Sequence, residues 1–304
     1  MKVLLLVNSS ASSVTARGRV MIQKALSADH DVTLAETSRR GHATRIAQGA
    51  AADGVDVVVV LGGDGTLNEA ANGLAGTATA MAALPGGSTN VFARTLGLPD
   101  DAIEATAVLL EALAHRSVRR VGLGLVNGRY FLFHAGLGFD AAIVARVERR
   151  AALKRYASHP LFLFSAFETW FRDYDHSRPR FAVHLADGDV VDDVYFAITL
   201  NTNPYTYLGT RPVNVAPGTT LDTGLAMVSV RSLALPTILG LGMGALGTGR
   251  RIRQHRAVDH RQDLAGFTVE GYGPFPYQVD GDYLGEVTSL RFGHQPEALA
   301  LVIP

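Results

Sequence analysis

Short apolar runs alternate with segments of helical spacing along the first third of the chain. The runs that predict buried strands are Val3–Val7, Asp31–Ala35, Val55–Leu61 and Thr79–Leu84. The segments that predict helices are Arg17–Ala28, Ala43–Gly49, one starting over Asn68–Leu74, and Asp100–His115 with Asp100 or Asp101 as N-cap. This alternation predicts a parallel sheet with helices on both faces.

After about Arg120 the pattern changes to short strand-like runs separated by turns. The runs are Arg119–Val126, Tyr130–Ala135, Phe181–Leu185, Val194–Leu200 and Leu225–Val230. Asn127-Gly128 and Asp187-Gly188 are dipeptides typical of two-residue hairpins, so this region is predicted to be antiparallel. Two helical stretches, Ala141 to about Trp170 and Pro236 to about His255, interrupt it. The predicted fold is therefore an α/β domain followed by a mainly antiparallel β-rich domain.

Composition excludes several classes of function. Lys+Arg and Asp+Glu both number 28, so bulk charge gives no reason to expect nucleic acid as a partner or general attraction to an anionic membrane. The chain has no Cys, which excludes disulfides and thiol catalysis and suits a cytoplasmic protein. No apolar run reaches the roughly 18 residues of a membrane span, so any membrane contact must be peripheral.

A glycine-rich turn, Gly62-Gly63-Asp64-Gly65-Thr66, joins the third predicted strand to the next helix. Glycines let a backbone approach phosphate oxygens, and the N–H groups and dipole of a helix N-terminus favour the anion. Asp64 would repel phosphate unless a cation lay between them, which indicates Mg²⁺. An ordinary strand-to-helix turn is the alternative. Asn8, Thr37 and the loop Pro85–Asn90 also follow predicted strands, so all four can share one edge of the sheet.

Four blocks of sequence identify a family resemblance. Gly62–Thr66 resembles the signature shared by diacylglycerol kinases, sphingosine kinases, NAD kinases and, more distantly, phosphofructokinases. Leu84–Arg94 resembles the Pro-x-Gly-Thr-x-Asn-x-Phe-Ala-Arg stretch of the diacylglycerol kinase catalytic domain, His134–Ala141 its Gly-x-Gly-Phe-Asp segment, and Val279–Asp282 its late Asp-Gly-Glu. The blocks occur in the family order, so the chain resembles a bacterial-type lipid kinase of that family.

The resemblance implies ATP and Mg²⁺ as cofactors and a set of site residues. The implied nucleotide-binding residues are Asn8, Thr37, Gly62, Gly63, Asp64, Gly65, Thr66, Asn68, Glu69, Ser88 and Asn90. Asp64 is expected to organise metal and phosphate, and Asp282 to act as the base that accepts the proton of the lipid hydroxyl. A second metal site is expected at Asp222, although Thr223 replaces a second acid there.

Four of these assignments leave alternatives open. Thr37 can equally be a solvent-facing Thr. The loop Asn8–Ser12 lacks the family's Pro and Gly and can equally be a serine-rich surface loop. Asn90 can bond backbone groups as well as a ligand. Asp280-Gly281-Asp282 has the composition of a simple hairpin turn.

The resemblance also implies a division of labour. Residues 1–120, with a C-terminal return over 296–304, are expected to bind nucleotide, and residues 121–295 to bind the lipid, with ATP in the cleft between the domains. The expected reaction phosphorylates a lipid hydroxyl, with diacylglycerol as the leading acceptor, at the cytoplasmic side of a membrane touched peripherally. The alternatives are an NAD kinase-like or sphingoid-base kinase activity and a non-catalytic nucleotide- or lipid-binding regulator; a homodimer is left open.

Two segments are candidates for lipid contact. The aromatic-rich stretch Tyr156–Phe171 could flank an acyl groove or lie at a bilayer interface, although such a stripe is more often core. The cluster of Arg250, Arg251, Arg253, His255 and Arg256 follows an apolar helix and could meet anionic headgroups. A solvated helix end is the alternative.

Overall fold

The computed structural model describes residues 1–149, 175 and 177–304. These residues form two units: Met1–Leu123 with Pro296–Pro304, and Gly124–Gln295. The first is an α/β unit with a parallel sheet and the second is an antiparallel β-rich unit, which confirms the predicted fold class. The assignment of nucleotide to one domain and lipid to the other, with boundaries at 120 and 296, stays a prediction.

The sheet of the first unit is parallel because each strand returns through a helix. Its strands are β1 (Lys2–Val7), β2 (Asp31–Glu36), β3 (Val57–Gly62) and β4 (Ala80–Pro85). They lie in the order β2-β1-β3-β4, and the chain's last strand adds to β4 in parallel with Leu301 opposite Met81. Every residue of β3 and β4 is buried, which explains their unbroken apolar sequences.

The helices of the first unit are α1 (Ala16–Leu26), α2 (His42–Ala52), α3 (Asp64–Leu74), α4 (Val91–Thr95) and α5 (Ala102–Ala114). Helix α3 begins at Asp64, earlier than the predicted Asn68, so the second half of the glycine-rich turn is the first turn of a helix and Gly63 is its N-cap. Helix α4 was not predicted because its five residues are too few to show a helical period. Asp101, not Asp100, caps α5 and accepts the N–H groups of Ile103 and Glu104.

The strands of the second unit pair antiparallel. They are β5 (Val118–Val126), β6 (Arg129–Phe131), β7 (His134–Gly138), β8 (Phe181–Leu185), β9 (Val190–Val194), β10 (Phe196–Leu200), β11 (Thr206–Leu208), β12 (Arg211–Val213), β13 (Leu225–Val230), β14 (Val258–Leu264), β15 (Gly266–Val279) and β16 (Asp282–Val302). The main order is β14-β13-β10-β7-β15-β16, and β5 and β16 each continue into the first unit. Buried apolar side chains cover both faces of these strands.

Two hairpins follow the turn chemistry of the sequence. Asn127 and Gly128, with φ of 46° and 84°, join β5 to β6, and Asp280 and Gly281, with φ of 48° and 82°, join β15 to β16. Positive φ at both central residues suits the right-handed twist of paired strands and favours Asn, Asp and Gly. The prediction of a hairpin at Asn127-Gly128 is confirmed. The backbone at Asp280-Gly281 also forms a hairpin turn, as the alternative interpretation expected, and the role of the Asp282 side chain is a separate question.

The described helices of the second unit are α6 (Phe139–Arg149), α7 (Leu235–Ala245) and α8 (Arg250–Arg253). The prediction of one continuous helix from Pro236 to His255 is therefore wrong. The helix is interrupted between Leu246 and Gly249, and Gly249 has φ of 74°. Of the helix predicted from Ala141 to about Trp170, only the part to Arg149 is described; Tyr156–Phe171 lies outside the described residues. Across the described ranges, no helix is both long and apolar enough to span a membrane.

Two helical glycines provide a matched test of the packing in the first unit. A Cβ at Gly73 in α3 would lie 2.5 Å from the carbonyl oxygen of Thr44 in α2, whereas a Cβ at Gly49 would meet nothing within 4 Å. We expect Gly73→Ala to lower the free energy of unfolding by about 1–3 kcal/mol through overpacking. Gly49→Ala should raise it by up to about 1 kcal/mol through helix propensity. Urea unfolding of both variants measures this, and equal changes would contradict the close α2–α3 contact.

Candidate active site

Four loops gather at the carboxyl edge of the first unit's sheet. Asn8 follows β1, Thr37 follows β2, Gly63 follows β3 and Gly86 follows β4, as predicted. The chain runs from β1 outward to β2 and then returns to the other side of β1 for β3, so the strand order reverses between β1 and β3. Open α/β sheets bind ligands in the crevice at such a switch point.

The loops after β3 and β4 touch through their glycine backbones. The N–H of Gly86 donates to the carbonyl of Gly62 at 2.9 Å. A Cβ on Gly86 would lie 2.9 Å from the Cα of Gly62, and a Cβ on Gly87 would lie 2.9 Å from the Cα of Gly63. Real Cβ atoms do not approach that closely, so these positions require glycine. The glycine loops therefore present backbone without side chains beside the α3 N-terminus.

The loop after β1 is hydrogen-bonded to the loops after β3 and β4, although it lacks the family's Pro and Gly. The side-chain amide of Asn8 donates to Thr66 Oγ1 at 2.9 Å, and its carbonyl accepts the N–H of Ser10 at 3.1 Å. The N–H of Ser13 donates to Gly86 O, and its hydroxyl donates to Gly87 O at 2.9 Å. These bonds join the first loop to the loops after β3 and β4, while Ser9, Ser10 and Ser12 are exposed, so contact of this loop with a nucleotide stays a prediction.

Asp64 fixes the position of helix α4. Its Oδ2 accepts the N–H of Val91 and its Oδ1 the N–H of Phe92, both at 3.0 Å. Burial raises the pKa of Asp64, and the two backbone N–H groups oppose that rise. Each oxygen keeps a further lone pair. The role of Asp64 in organising metal and phosphate therefore stays a prediction. The structure shows a second role for this side chain, the capping of α4.

Three other predicted nucleotide residues have structural partners. Asn90, in the left-handed region with φ of 49°, accepts the N–H of Gly87 and donates to Gly87 O and Asp100 Oδ1. Glu69 accepts the N–H groups of Gly41 and Ala43 at the start of α2. The buried Asn68 accepts the side-chain amide of Asn72. These hydrogen bonds shape the loops, and direct contact of the three side chains with a nucleotide stays a prediction.

The remaining predicted nucleotide residues differ in exposure. Ser88 is exposed at the tip of the loop after β4, and Thr37 is half-buried, with its N–H bonded to Val7 O. Thr66 is buried within the first turn of α3, where its hydroxyl accepts the amide of Asn8. Contact of these three residues with a nucleotide stays a prediction.

In the second unit, Asp282 is the first residue of β16, directly after the turn. Its carboxylate lies 3.7 Å from a guanidinium nitrogen of Arg129, and its side chain is 22% exposed. The neighbouring Asp280 is buried and accepts three backbone N–H groups, those of Leu132, Phe133 and His134, at 2.7–3.1 Å. Asp280 therefore anchors the turn, which leaves Asp282 as the accessible acid of the pair.

A buried polar chain holds the same turn from the other side. The hydroxyl of Tyr205 donates to Asp140 at 2.6 Å, the amide of Gln278 donates to Asp140 at 2.9 Å, and the N–H of Gly281 donates to Gln278 at 2.9 Å. Burial raises the pKa of Asp140, opposed by the Tyr205 and Gln278 hydrogen bonds, and burial raises the pKa of Tyr205. A Cβ on Gly136 would overlap the Asp140 carboxylate, which explains the glycine of that sequence block.

The predicted metal site at Asp222 gathers no ligand set. Asp222 is exposed, and the hydroxyl of Thr223 donates to the carbonyl of Thr220 at 3.0 Å. Among the residues that the structure describes, no three His, Cys, Asp or Glu side chains are grouped closely enough to hold a metal ion. Asp222 as a metal ligand stays a prediction without a supporting cluster.

Sequence reasoning missed the chain from Tyr205 through Asp140 and Gln278 to Gly281. The Gly-x-Gly-Phe-Asp block drew attention to Asp140 without giving it a partner. Tyr205 and Gln278 lie 65 and 138 residues from Asp140, and no local pattern marks either. The ion pair between Arg129 and Asp282 was missed for the same reason.

Comparison with known proteins agrees with the pattern of motifs. The family model for the diacylglycerol kinase catalytic domain matches residues 2–126. A Pseudomonas aeruginosa protein named "Probable lipid kinase YegS-like" is 30% identical over 311 residues, covering 100% of this chain and 94% of its own length. Diacylglycerol kinase of Bacillus subtilis is 37% identical over 121 residues, which is 39% of this chain and 39% of that enzyme.

Solved structures share the fold. A diacylglycerol kinase crystal structure from Bacillus anthracis aligns with a TM-score of 0.71 at 22% identity, covering 100% of this chain and 97% of that one. At this identity the likeness concerns the fold alone.

The buried His134 gives the second unit a defined sensitivity to acid. Burial lowers its pKa to about 3, whereas the unfolded side chain titrates near 6.5. Below pH 6.5 only the unfolded chain takes up this proton, so acid favours unfolding by about 3 kcal/mol between pH 6.5 and pH 4. We expect His134→Phe, which keeps an aromatic ring beside Tyr205, to remove that part of the pH dependence measured by urea unfolding.

The unaltered chain, unfolded over the same pH range, is the reference for this measurement. If His134→Phe leaves the dependence unchanged, His134 is not held neutral in the folded protein.

Proposed function

The chain belongs to the diacylglycerol kinase catalytic-domain family of ATP-dependent lipid kinases, and from that premise we propose that it transfers the γ-phosphoryl group of ATP to diacylglycerol. The product would be phosphatidic acid. The reaction would take place where a cytoplasmic pool of ATP meets a bilayer that contains the acceptor.

One observation carries the nucleotide half of the proposal: the backbone contact between Gly62–Gly63 after β3 and Gly86–Gly87 after β4, on the β3 side of the switch point. Phosphate groups need close approach to N–H donors, and side chains at these positions would prevent it. The hydrogen bonds from Asn8 and Ser13 hold the loops in place before a ligand binds. Preorganised donors are the main means by which proteins stabilise a phosphoryl group in transfer.

Mg²⁺ fits this site as an ion held mainly by ATP. No all-protein cluster of metal ligands exists among the described residues, and Mg²⁺ commonly binds one or two carboxylates together with substrate phosphates and waters. We assign Asp64 as the carboxylate, since its oxygens retain lone pairs after they accept Val91 and Phe92. A bound Mg²⁺ would neutralise the charge of the phosphates.

We assign Asp282 as the general base. The carboxylate would accept the proton of the lipid hydroxyl while that oxygen bonds to the γ-phosphorus, and the bond to the bridging oxygen of ADP would break. Two features support Asp282 over Asp280. The Asp282 side chain is 22% exposed, with a guanidinium nitrogen of Arg129 at 3.7 Å, whereas Asp280 is buried and accepts three backbone N–H groups.

The acceptor is the least constrained part of the proposal. The relative that matches the whole chain is named only as a lipid kinase, and the relative named for diacylglycerol matches over 121 residues. A sphingoid base therefore remains the second candidate acceptor. NAD is less favoured, because the block Leu84–Arg94 resembles the lipid kinases. A regulator without turnover is less favoured because Asp64, Thr66 and Asn68 are all present.

The acceptor is tested with the full chain, γ-labelled ATP and Mg²⁺. Diacylglycerol and a sphingoid base are offered in mixed micelles, and NAD in solution. We expect labelled phosphatidic acid as the main product. Preferential labelling of the sphingoid base or NAD would replace diacylglycerol as the acceptor, and ATP binding without any labelled product would overturn the kinase proposal.

The base assignment predicts that Asp282→Asn lowers kcat by about 10²–10⁴ without lowering the thermal midpoint. Asp282→Glu, which restores the residue more usual in the family, should retain a large share of the activity. Asp192→Asn, at another exposed acid of the second unit, is the matched control and should leave kcat unchanged. Full turnover by Asp282→Asn would refute the assignment.

A further inference from the structure

We propose that helices α7 and α8 form a docking surface for an anionic phospholipid bilayer. This α7–α8 surface consists of the outward side chains Leu235, Leu239, Met243, Arg250, Arg251, Arg253 and Arg256. It deepens the proposed function, since a kinase for a bilayer lipid must reach the interface where its acceptor lies.

The outer face of α7 is apolar although it faces solvent. Leu235, Leu239 and Met243 recur every four residues and therefore share one face, with 43%, 61% and 66% of their surfaces exposed. Leu239 and Met243 are the most exposed large hydrophobic side chains of the described residues. A surface helix normally carries polar residues on its solvent side. Packing within the second unit therefore does not explain why apolar side chains lie on this face.

The opposite face of α7 already packs into the core of the second unit. Leu241 and Ala245 are buried there together with Ile252 of α8. Asn214 ties the helix end by donating its N–H to Ala245 O at 2.7 Å and its amide to Gly247 O at 2.9 Å. Helix α7 is therefore held in a fixed orientation that presents its second apolar face outward.

Helix α8 and the residues that follow it pack against the glycine side of α7, which lies about 100° around the helix axis from Leu239 and Met243. A Cβ at Gly244 would be 3.4 Å from the Cβ of Arg251, and one at Gly240 would be 4.0 Å from His255 Nε2. Arg250, Arg251, Arg253 and Arg256 are all exposed. The sequence from residue 231 to residue 258 contains no Asp or Glu, so the cations are not balanced from within the segment.

An apolar ridge with arginines at its side fits an anionic bilayer better than a second copy of the chain. The leucines and methionine can enter the boundary between headgroups and acyl chains while the arginines meet phosphates. Two copies of the surface in a symmetric pair would bring like charges together. Because the net charge of the chain is zero, attraction to an anionic membrane must come from a local cluster such as this one.

Vesicle co-sedimentation of the full chain tests the docking surface without ATP. Vesicles of phosphatidylcholine alone are compared with vesicles that also contain phosphatidylglycerol. We expect binding that requires phosphatidylglycerol and weakens with salt. Arg250→Gln with Arg251→Gln should lower the binding constant roughly 25-fold, and Leu239→Gln with Met243→Gln about tenfold or more.

Matched pairs on the first unit control for loss of charge and of apolar surface. Lys24→Gln with Arg45→Gln removes two exposed cations, and Val20→Gln with Met21→Gln removes two exposed apolar side chains. Both pairs should bind vesicles as the unaltered chain does. Equal losses in test and control pairs, or no loss in either, would overturn the proposal. A dimer in sedimentation velocity that Leu239→Gln with Met243→Gln dissociates would show that a second copy covers the surface instead.

Kinase assays separate this inference from the proposed function. With short-chain, dispersed diacylglycerol, the α7–α8 variants should keep the unaltered kcat, while phosphorylation of long-chain diacylglycerol in vesicles falls with binding. If the chain phosphorylates no lipid but its vesicle binding depends on the surface, only the proposed function fails. If it phosphorylates diacylglycerol while the variants bind vesicles normally, only the docking surface fails.

Discussion

Both units are organised around a carboxylate that accepts backbone N–H groups. Asp64 holds the first two N–H groups of α4, and Asp280 holds three consecutive N–H groups that run from the end of β6 to the first residue of β7. Hydrogen bonds to a charged acceptor are stronger than neutral ones, and removal of the acceptor would leave several buried donors unpaired. Asp64 and Asp280, the acids of two of the four motif blocks, thus hold the backbone in the shape that the proposed reaction needs.

The same principle explains which of two neighbouring acids is available for chemistry. Asp280 and Asp282 flank a single glycine, but the turn directs Asp280 into the unit and leaves Asp282 at its surface beside Arg129. The chain from Tyr205 through Asp140 to Gln278 then fixes Gly281 between them. A base must be placed within hydrogen-bond reach of the proton it takes, so the rigidity of this turn is a requirement of the proposed mechanism.

Much of the first unit could be predicted because its signals are local. Apolar runs such as Val57–Val60 mark fully buried strands, and glycines after them mark the phosphate-type turn. The start of α3 was misplaced because Gly62–Thr66 has the composition of a loop, whereas Asp64 begins the helix. Most of β15 was missed because Gly271, Gly273, Pro274 and Pro276 signal a turn. The structure accommodates the first three in an irregular stretch between Glu270 and Phe275, and Pro276 pairs with Glu286 of β16.

What sequence could not supply are the contacts between distant segments, and these contacts distinguish a motif from a site. The Asn8 loop departs from the family pattern, yet Asn8 and Ser13 bind the glycine loops through side chains that any serine-rich loop could contain. Similarly, the basic cluster after α7 resembles a solvated helix end until the exposed face of Leu239 and Met243 is seen beside it. An arginine cluster alone is attracted to many anions, and an apolar face alone to many surfaces. A bilayer with anionic headgroups satisfies both at once, and it is also where the proposed acceptor of this kinase lies.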